Sequence, residues 1–335
     1  MKAERRVRAR DVVVYLAARA AIGAAARVPQ ALGYRAAALL GRVWFRLDGR
    51  RRRYAARYLA QAYPDMPARE RWKLGSAATA SLFMVPLDMA RLTRLLDRGG
   101  DVADVVDLSP MQRELERVDA PFIGLTAHLG SWEVAAAGMA ALKGAAHGIA
   151  RVTKNPLLNR WLLGTRRRGG LTIHPRRGGF RDLANALARG HIGLQVVDQN
   201  QRLRGVFAPF FGKTASCERA AVSLALRRGY PVVMGAAIRK GWGFRFELIA
   251  EPTLYLEKTG DRNADLYRAV CRVNAGLERM IRRAPEQYLW IHDRYRTQPE
   301  QAVEGAPDVD GADADGPDVD MGARGDGETS GSGPR

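Results

Sequence analysis

PFIGLTAHLGSWEVAAAGMAAL, residues 121–142, sets the fold of this chain. Pro121–Ala127 is a short apolar run of strand length, and Trp132–Leu142 is an Ala-rich stretch of helical character. Between them His128, Gly130 and Ser131 make a polar break at the carboxyl end of the strand, where open α/β sheets place their ligand sites. Ser131 is expected to cap the helix that follows.

The same alternation continues outward. Ala145–Val152 reads as a strand, Pro156–Arg168 as a helix, Leu171–His174 as a strand, Phe180–Arg189 as a helix and Ile192–Val197 as a strand. Gly205–Gly212 is expected to be a loop with aromatic cover over the site. Glu218–Arg228 follows as a helix, then strands at Pro231–Ile238 and Phe244–Ile249, then a long helix at Ala264–Arg283. Apolar runs alternating with helical stretches predict an α/β fold with a mostly parallel central sheet flanked by helices.

Upstream, Gly49–Arg98 is helical in pattern, opening on the basic run Arg50–Arg53 and interrupted at Tyr63–Pro67. Before it, VVVYLAARAAIGAAA follows a basic start, with Arg19, Arg27, Arg35, Arg42 and Arg46 recurring through apolar sequence. No uncharged stretch reaches the roughly 18 residues of a membrane span. Residues 1–48 are therefore expected to form amphipathic helices lying at a membrane interface, with apolar residues and Trp44 in acyl chains and Arg at phosphates. The alternative is an ordinary pair of packed helices with a solvated Arg face.

Charge separates the ends. The last 35 residues hold nine acidic and two basic side chains, leaving 52 basic against 26 acidic in the first 300. That excess favours an anionic partner, a membrane surface foremost. Residues 300–335, rich in Gly, Asp, Ala and Pro, are expected to be a disordered acidic tail; their Asp spacing does not fit a calcium loop. Cys217 and Cys271 are far apart and imply neither a disulfide framework nor a zinc site.

His128 followed five residues later by Glu133 is the main chemical candidate. On one helix, residues five apart diverge by about 140°, but the Gly130–Ser131 turn would let the two side chains meet. Glu133 would then accept the proton of one ring nitrogen and leave the other as a base. From spacing alone, a packed His at a strand end and a Glu favouring a helix dipole fits as well.

The segment TAHLGSWEVAAAGMA resembles the signature of the lipid A late acyltransferases, within the lysophospholipid acyltransferase superfamily, which carry a His-x4-Asp/Glu motif. Further blocks follow in the family's order: Asn155-Pro156 with Arg166 and Gly170, Asp198-Gln199-Asn200, Gly205 to Gly212, and Pro285 to His292 with Arg294 and Pro299. Asn200 stands where the family has an acid, and Asp293 where Arg is frequent.

The resemblance implies a glycerolipid acyltransferase-like domain at 49–299. It implies transfer of an acyl group from acyl carrier protein or coenzyme A to a hydroxyl of a lipid A precursor or related glycolipid, at the cytoplasmic face of a bacterial inner membrane. His128, Glu133 and Arg166 are the expected catalytic residues. Asp198, Gln199, Arg151, Phe207 and Phe211 are expected at the substrate, with no metal and no cofactor beyond the thioester co-substrate. Arg166 also fits a solvated basic run with Arg167 and Arg168, Asp198 a cap or a partner of an Arg, and the phenylalanines core packing.

Two other readings compete. One is an acyltransferase using acyl-CoA on another lipid acceptor, a lysophospholipid or a phosphatidylinositol mannoside. The other is a non-enzymatic basic membrane- or nucleic-acid-binding protein, against which the chain has no nucleic-acid motif. A hydrolase built on the same pair would lack a nucleophile, since no GxSxG elbow occurs.

Overall fold

The computed structural model describes residues 7–118, 121–150, 153–176 and 178–299. Arg151, expected at the substrate, and the acidic tail of 300–335 lie outside the described residues.

Four helices lead the chain: α1 (Ala9–Ala25), α2 (Gln30–Leu47), α3 (Gly49–Ala62) and α4 (Ala68–Asp97). Strand β1 (Val106–Asp107) and α5 (Ser109–Leu115) then open the α/β part. It continues through β2 (Ile123–Thr126), α6 (Trp132–Lys143), β3 (Ala146–Ala150), α7 (Pro156–Arg168), β4 (Leu171–Pro175), α8 (Gly179–Ala188) and β5 (Ile192–Val196). After β6 (Val206–Phe210) and β7 (Lys213–Cys217) come α9 (Ala220–Arg228), β8 (Val232–Arg239), β9 (Phe246–Leu254) and α10 (Arg262–Arg283).

Seven strands form one sheet in the order β1-β9-β8-β2-β5-β3-β4. Every neighbouring pair is parallel except β8 with β9, which share a long antiparallel ladder. The mostly parallel sheet flanked by helices is thus the fold expected from the alternation. Strands β2 and β8 are almost wholly buried, as strands covered on both faces must be.

One local expectation is corrected. Residues 205–212 do not form a loop: β6 and β7 make an antiparallel hairpin paired from Val206–Cys217 to Phe210–Lys213. Its turn places Phe211 at φ 47° and Gly212 at φ 73°, and the turn backbone is held by Glu278, which accepts the Phe211 N–H at 2.7 Å.

The leading helices pack into the body. Helix α2 buries Tyr34 and Phe45 against α4. Arg91 and Arg94 of α4 donate to the carbonyls of Val28 (2.6 Å) and Ala26 (2.8 Å), fixing the α1–α2 turn. Their outer faces mix apolar and cationic side chains: Val12, Val13, Val14 and Leu16 on α1 and Leu39, Leu40, Val43 and Leu47 on α2 are exposed, as are Arg19, Arg35, Arg42 and Arg46. No described helix is long and apolar enough to cross a membrane.

Candidate active site

Parallel register brings the central pair together. Strands β2 and β5 are neighbours with Thr126 opposite Val196, so two residues further on His128 stands opposite Asp198. The Asp198 carboxylate accepts twice from the same residue, from the His128 backbone N–H at 3.0 Å and from its Nδ1 at 2.7 Å. Nδ1 is therefore the protonated nitrogen, and Nε2 faces the cavity with the Gln199 amide nitrogen 3.4 Å away. Trp132 packs edge-on against the imidazole, ring centroids 4.9 Å apart.

The loop carrying His128 is rigid for identifiable reasons. Leu129 bridges to Tyr288, and the Gly130 and Ser131 N–H groups donate to the carbonyls of Gln287 (3.0 Å) and Ala237 (2.9 Å). Gly130 sits at φ 59°, and a Cβ there would lie 2.0 Å from the Ala237 carbonyl oxygen, so any side chain would push the loop off β8. Ser131 is the residue before α6, but its side chain makes no capping bond; the N–H of Ser131 itself is tied to β8 instead.

The segment after Asp198 is held just as firmly. Ser216 Oγ donates to the Gln201 carbonyl, Gln201 Nε2 to Glu218, and Asn200 exchanges hydrogen bonds with Thr297. The Asn200 N–H donates to His292 Nε2 at 3.3 Å. His292 thus braces the loop behind the pair, its pKa lowered mainly by burial.

The expected partnership of His128 with Glu133 is corrected. Glu133 lies in the first turn of α6, and its carboxylate accepts a forked pair from Arg166 in the last turn of α7, from Nε at 3.0 Å and from Nη2 at 2.5 Å. Each charge sits at the favourable end of its helix, and the bidentate geometry is the strong form of this pair. Glu133 therefore orients Arg166, while Asp198 orients His128. Arg166 is bound into the site rather than solvated with Arg167 and Arg168.

The Asn155-Pro156 pair sets up α7. Asn155 Oδ1 caps the helix by accepting from the N–H groups of Leu157 and Leu158, and its Nδ2 donates to the Asp11 carbonyl of α1 at 2.9 Å. Pro156 fits the first helical turn, where no N–H is required.

His128, Glu133, Arg166 and Gln199 line one cavity of about 770 Å³. Its deep part runs between α6 and the sheet, floored by Gly124, Gly148 and Gly235, which present no side chain, and walled by Met111, Met139 and Leu248. Its other end is framed by Arg176, Leu203 and Glu218. The phenylalanines expected there are elsewhere. Phe211 is buried against Phe210 and Trp290 at 4.9 and 5.4 Å, and Phe207 pairs across the hairpin with Ser216. Neither lines the cavity: Phe211 packs toward Trp290 and toward Arg282 of α10, and Phe207 is half-buried on the hairpin.

Electrostatics follow from this geometry. Burial alone pulls the His128 pKa down, but the Asp198 charge and hydrogen bond outweigh it, and the net shift is upward from 6.5. Burial likewise opposes ionisation of Asp198, yet His128, with Arg294 behind it, holds the carboxyl below its ordinary value. The buried Tyr288 phenol stays protonated, through burial first and the Asp198 charge second. A base at Nε2 works only when neutral, so kcat/KM is expected to rise with pH through an inflection above the ordinary imidazole value. Asp198→Asn should move that inflection below 6.5, since burial would remain without the counter-charge. A pH–rate profile of both proteins checks this, and an unmoved inflection would show that another group titrates.

A half-buried imidazole ordered by a carboxylate, a neighbouring fixed guanidinium and an apolar slot together suit transfer chemistry on a hydrocarbon-bearing substrate. Comparison with known proteins agrees. The chain matches the profile of the bacterial lipid A biosynthesis acyltransferases over residues 2–297. It is 25% identical over 284 residues to a lipid A biosynthesis lauroyltransferase of Escherichia coli (strain K12), covering 82% of this chain and 88% of that one. To a lipid A biosynthesis palmitoleoyltransferase of the same organism it is 30% identical over 125 residues, 37% of this chain. A lipid A biosynthesis acyltransferase of Shigella flexneri matches to the same extent, and these two alignments span 39% of the relatives' length. With nearly its whole length matched by one profile, the chain belongs to the bacterial lipid A biosynthesis acyltransferase family.

Proposed function

We propose that this protein transfers a fatty acyl group from a thioester donor, acyl carrier protein or coenzyme A, to a hydroxyl of a lipid A precursor or related glycolipid. The observation that carries this reading is the cavity itself, in which His128 Nε2 meets a hydrocarbon-sized slot. His128 Nε2 takes the acceptor hydroxyl proton as the oxygen attacks the thioester carbon. The new C–O bond forms, the C–S bond breaks, and the imidazolium returns the proton to the leaving thiolate. Asp198 stays ionised and stabilises the imidazolium. Arg166, held by Glu133, supplies positive charge where the carbonyl oxygen becomes an oxyanion. The deep glycine-floored part of the cavity takes the donor's acyl chain.

The protein would work at the cytoplasmic face of the bacterial inner membrane. Helix α1 exposes Val12, Val13, Val14 and Leu16 with Arg10 and Arg19 among them, a mixture of apolar and cationic side chains that suits the interface between acyl chains and headgroups. Arg35, Arg42 and Arg46 beside the exposed leucines of α2 suit phosphate headgroups.

The test is mass spectrometry of lipids from cells with and without the protein, paired with purified chain, acyl thioester and lipid A precursor. One acyl chain should be missing from lipid A in its absence. Unchanged lipid A with a different lipid altered would redirect the acceptor, and no transfer to any lipid would end the proposal.

A further inference from the structure

Beside the main cavity lies a second, of about 280 Å³, which the chemistry above leaves unused. Its walls are Ala18 and Ile22 of α1, Pro86 and Met89 of α4, and Trp161 and Leu162 of α7. Glu133, Arg166 and Leu171 line both cavities, so the forked ion pair is the partition between them. The space is built into the fold. Pro86 sits inside α4, where it withdraws the N–H that the Leu82 carbonyl would accept. Asn155 clamps α7 to α1 across the same region.

Acyl transfer between two lipids brings two hydrocarbon chains to one reacting centre. The protein offers an apolar compartment and a larger one with an apolar deep part and a polar mouth, and the two meet at one catalytic partition. We infer that the second cavity seats a hydrocarbon chain of the acceptor lipid, admitted from the membrane side along α1, while the main cavity seats the donor's chain. This rests on the acyl-transfer reading for the names donor and acceptor. The assignment of compartments follows from α1. Ala18 and Ile22 line the second cavity, while Val12, Val13 and Leu16 on the opposite side of the same helix are exposed and apolar. A chain lying in a bilayer therefore needs to pass only one helix to reach the partition. The main cavity's frame of Arg176, Gln199 and Glu218 is polar and suits the headgroup of a water-borne thioester.

The experiment uses the full chain in detergent micelles with two probes, a nitroxide-labelled long-chain alcohol and a nitroxide-labelled acyl-coenzyme A. Quenching of Trp161, isolated as the difference between wild type and Trp161→Phe, reports occupancy of the second cavity. Ala18→Phe, which fills it from a half-buried position on α1, should weaken the alcohol's quenching by about tenfold or more in affinity and leave thioester binding unchanged. Thermal melting of Ala18→Phe confirms that it is folded, and Ile22→Ala, which enlarges the space, should retain or tighten alcohol binding. The inference is overturned if the folded Ala18→Phe protein binds the alcohol as wild type does, or if it loses the thioester instead. Absence of any acyl transfer with probe binding intact would sink the catalytic reading and leave this cavity a chain-binding site.

Discussion

Asp198→Asn is expected to lower the rate of acyl transfer by three to four orders of magnitude, as loss of an imidazole-orienting carboxylate does elsewhere (about 10⁴-fold). The reason lies in hydrogen-bond polarity. Both carboxylate oxygens accept from His128, one from the backbone N–H and one from Nδ1. An amide has one acceptor and one donor in their place. If its oxygen keeps the backbone N–H, its NH2 faces Nδ1, and the ring can satisfy it only by moving its own proton to Nε2. The base is then capped. If the amide flips, two donors meet at the backbone instead. His128→Ala, which removes the base outright, should cost at least about a hundredfold. Glu133→Gln provides the contrast. It should leave the His128 tautomer and the pH inflection in place while loosening Arg166, lowering kcat by weakening oxyanion stabilisation. Single-turnover rates and pH profiles of the three variants separate these roles. A profile that moves with Glu133→Gln and not with Asp198→Asn would return the imidazole's partner to Glu133.

That reassignment shows what local sequence carries. The strand at 121–127, the turn at His128 and the helix beyond it are local and legible, because a short apolar run and an Ala-rich stretch differ in period and composition. Glu133 is the nearest acid in sequence to His128, so it draws attention. The true partner is 70 residues away, and only the β2–β5 register brings it close. One signal was present: both His128 and Asp198 directly follow predicted strands, and residues in that position on adjacent parallel strands meet. Nothing in sequence specifies which strands are adjacent. The hairpin at 206–217 was missed because its glycines and Pro209 suggest a loop, whereas Pro209 is tolerated on a strand of a two-stranded sheet. His147, His174 and His191 show no motif spacing, yet the fold lines their rings up, His147 bonding His174 at 3.0 Å and His191 at 2.9 Å.

The second large effect concerns stability and falls on a residue with no motif at all. Asp88, in the middle of α4, is fully buried, accepts the Tyr34 hydroxyl at 2.8 Å and pairs with Arg239 of β8. The Arg239 guanidinium lies over the rings of Tyr34 (4.6 Å) and Phe246 (4.9 Å), so its charge is fixed from three sides. This network joins the leading helices to the strand whose Ala237 carbonyl anchors the His128 loop. Arg239→Met should cost about 3–5 kcal/mol, because it leaves a buried carboxylate without its counter-charge. That is about a fifth or more of the roughly 5–15 kcal/mol that stabilises a typical domain. Asp88→Leu alone should cost a similar amount for the mirror-image reason. The double variant Asp88→Leu/Arg239→Met removes both charges and substitutes apolar volume, so it should recover most of the loss. Denaturant midpoints of the four proteins test the coupling. Additive losses in the double variant would mean that the two residues stabilise the fold separately, and that the ion pair is not what binds α4 to the sheet.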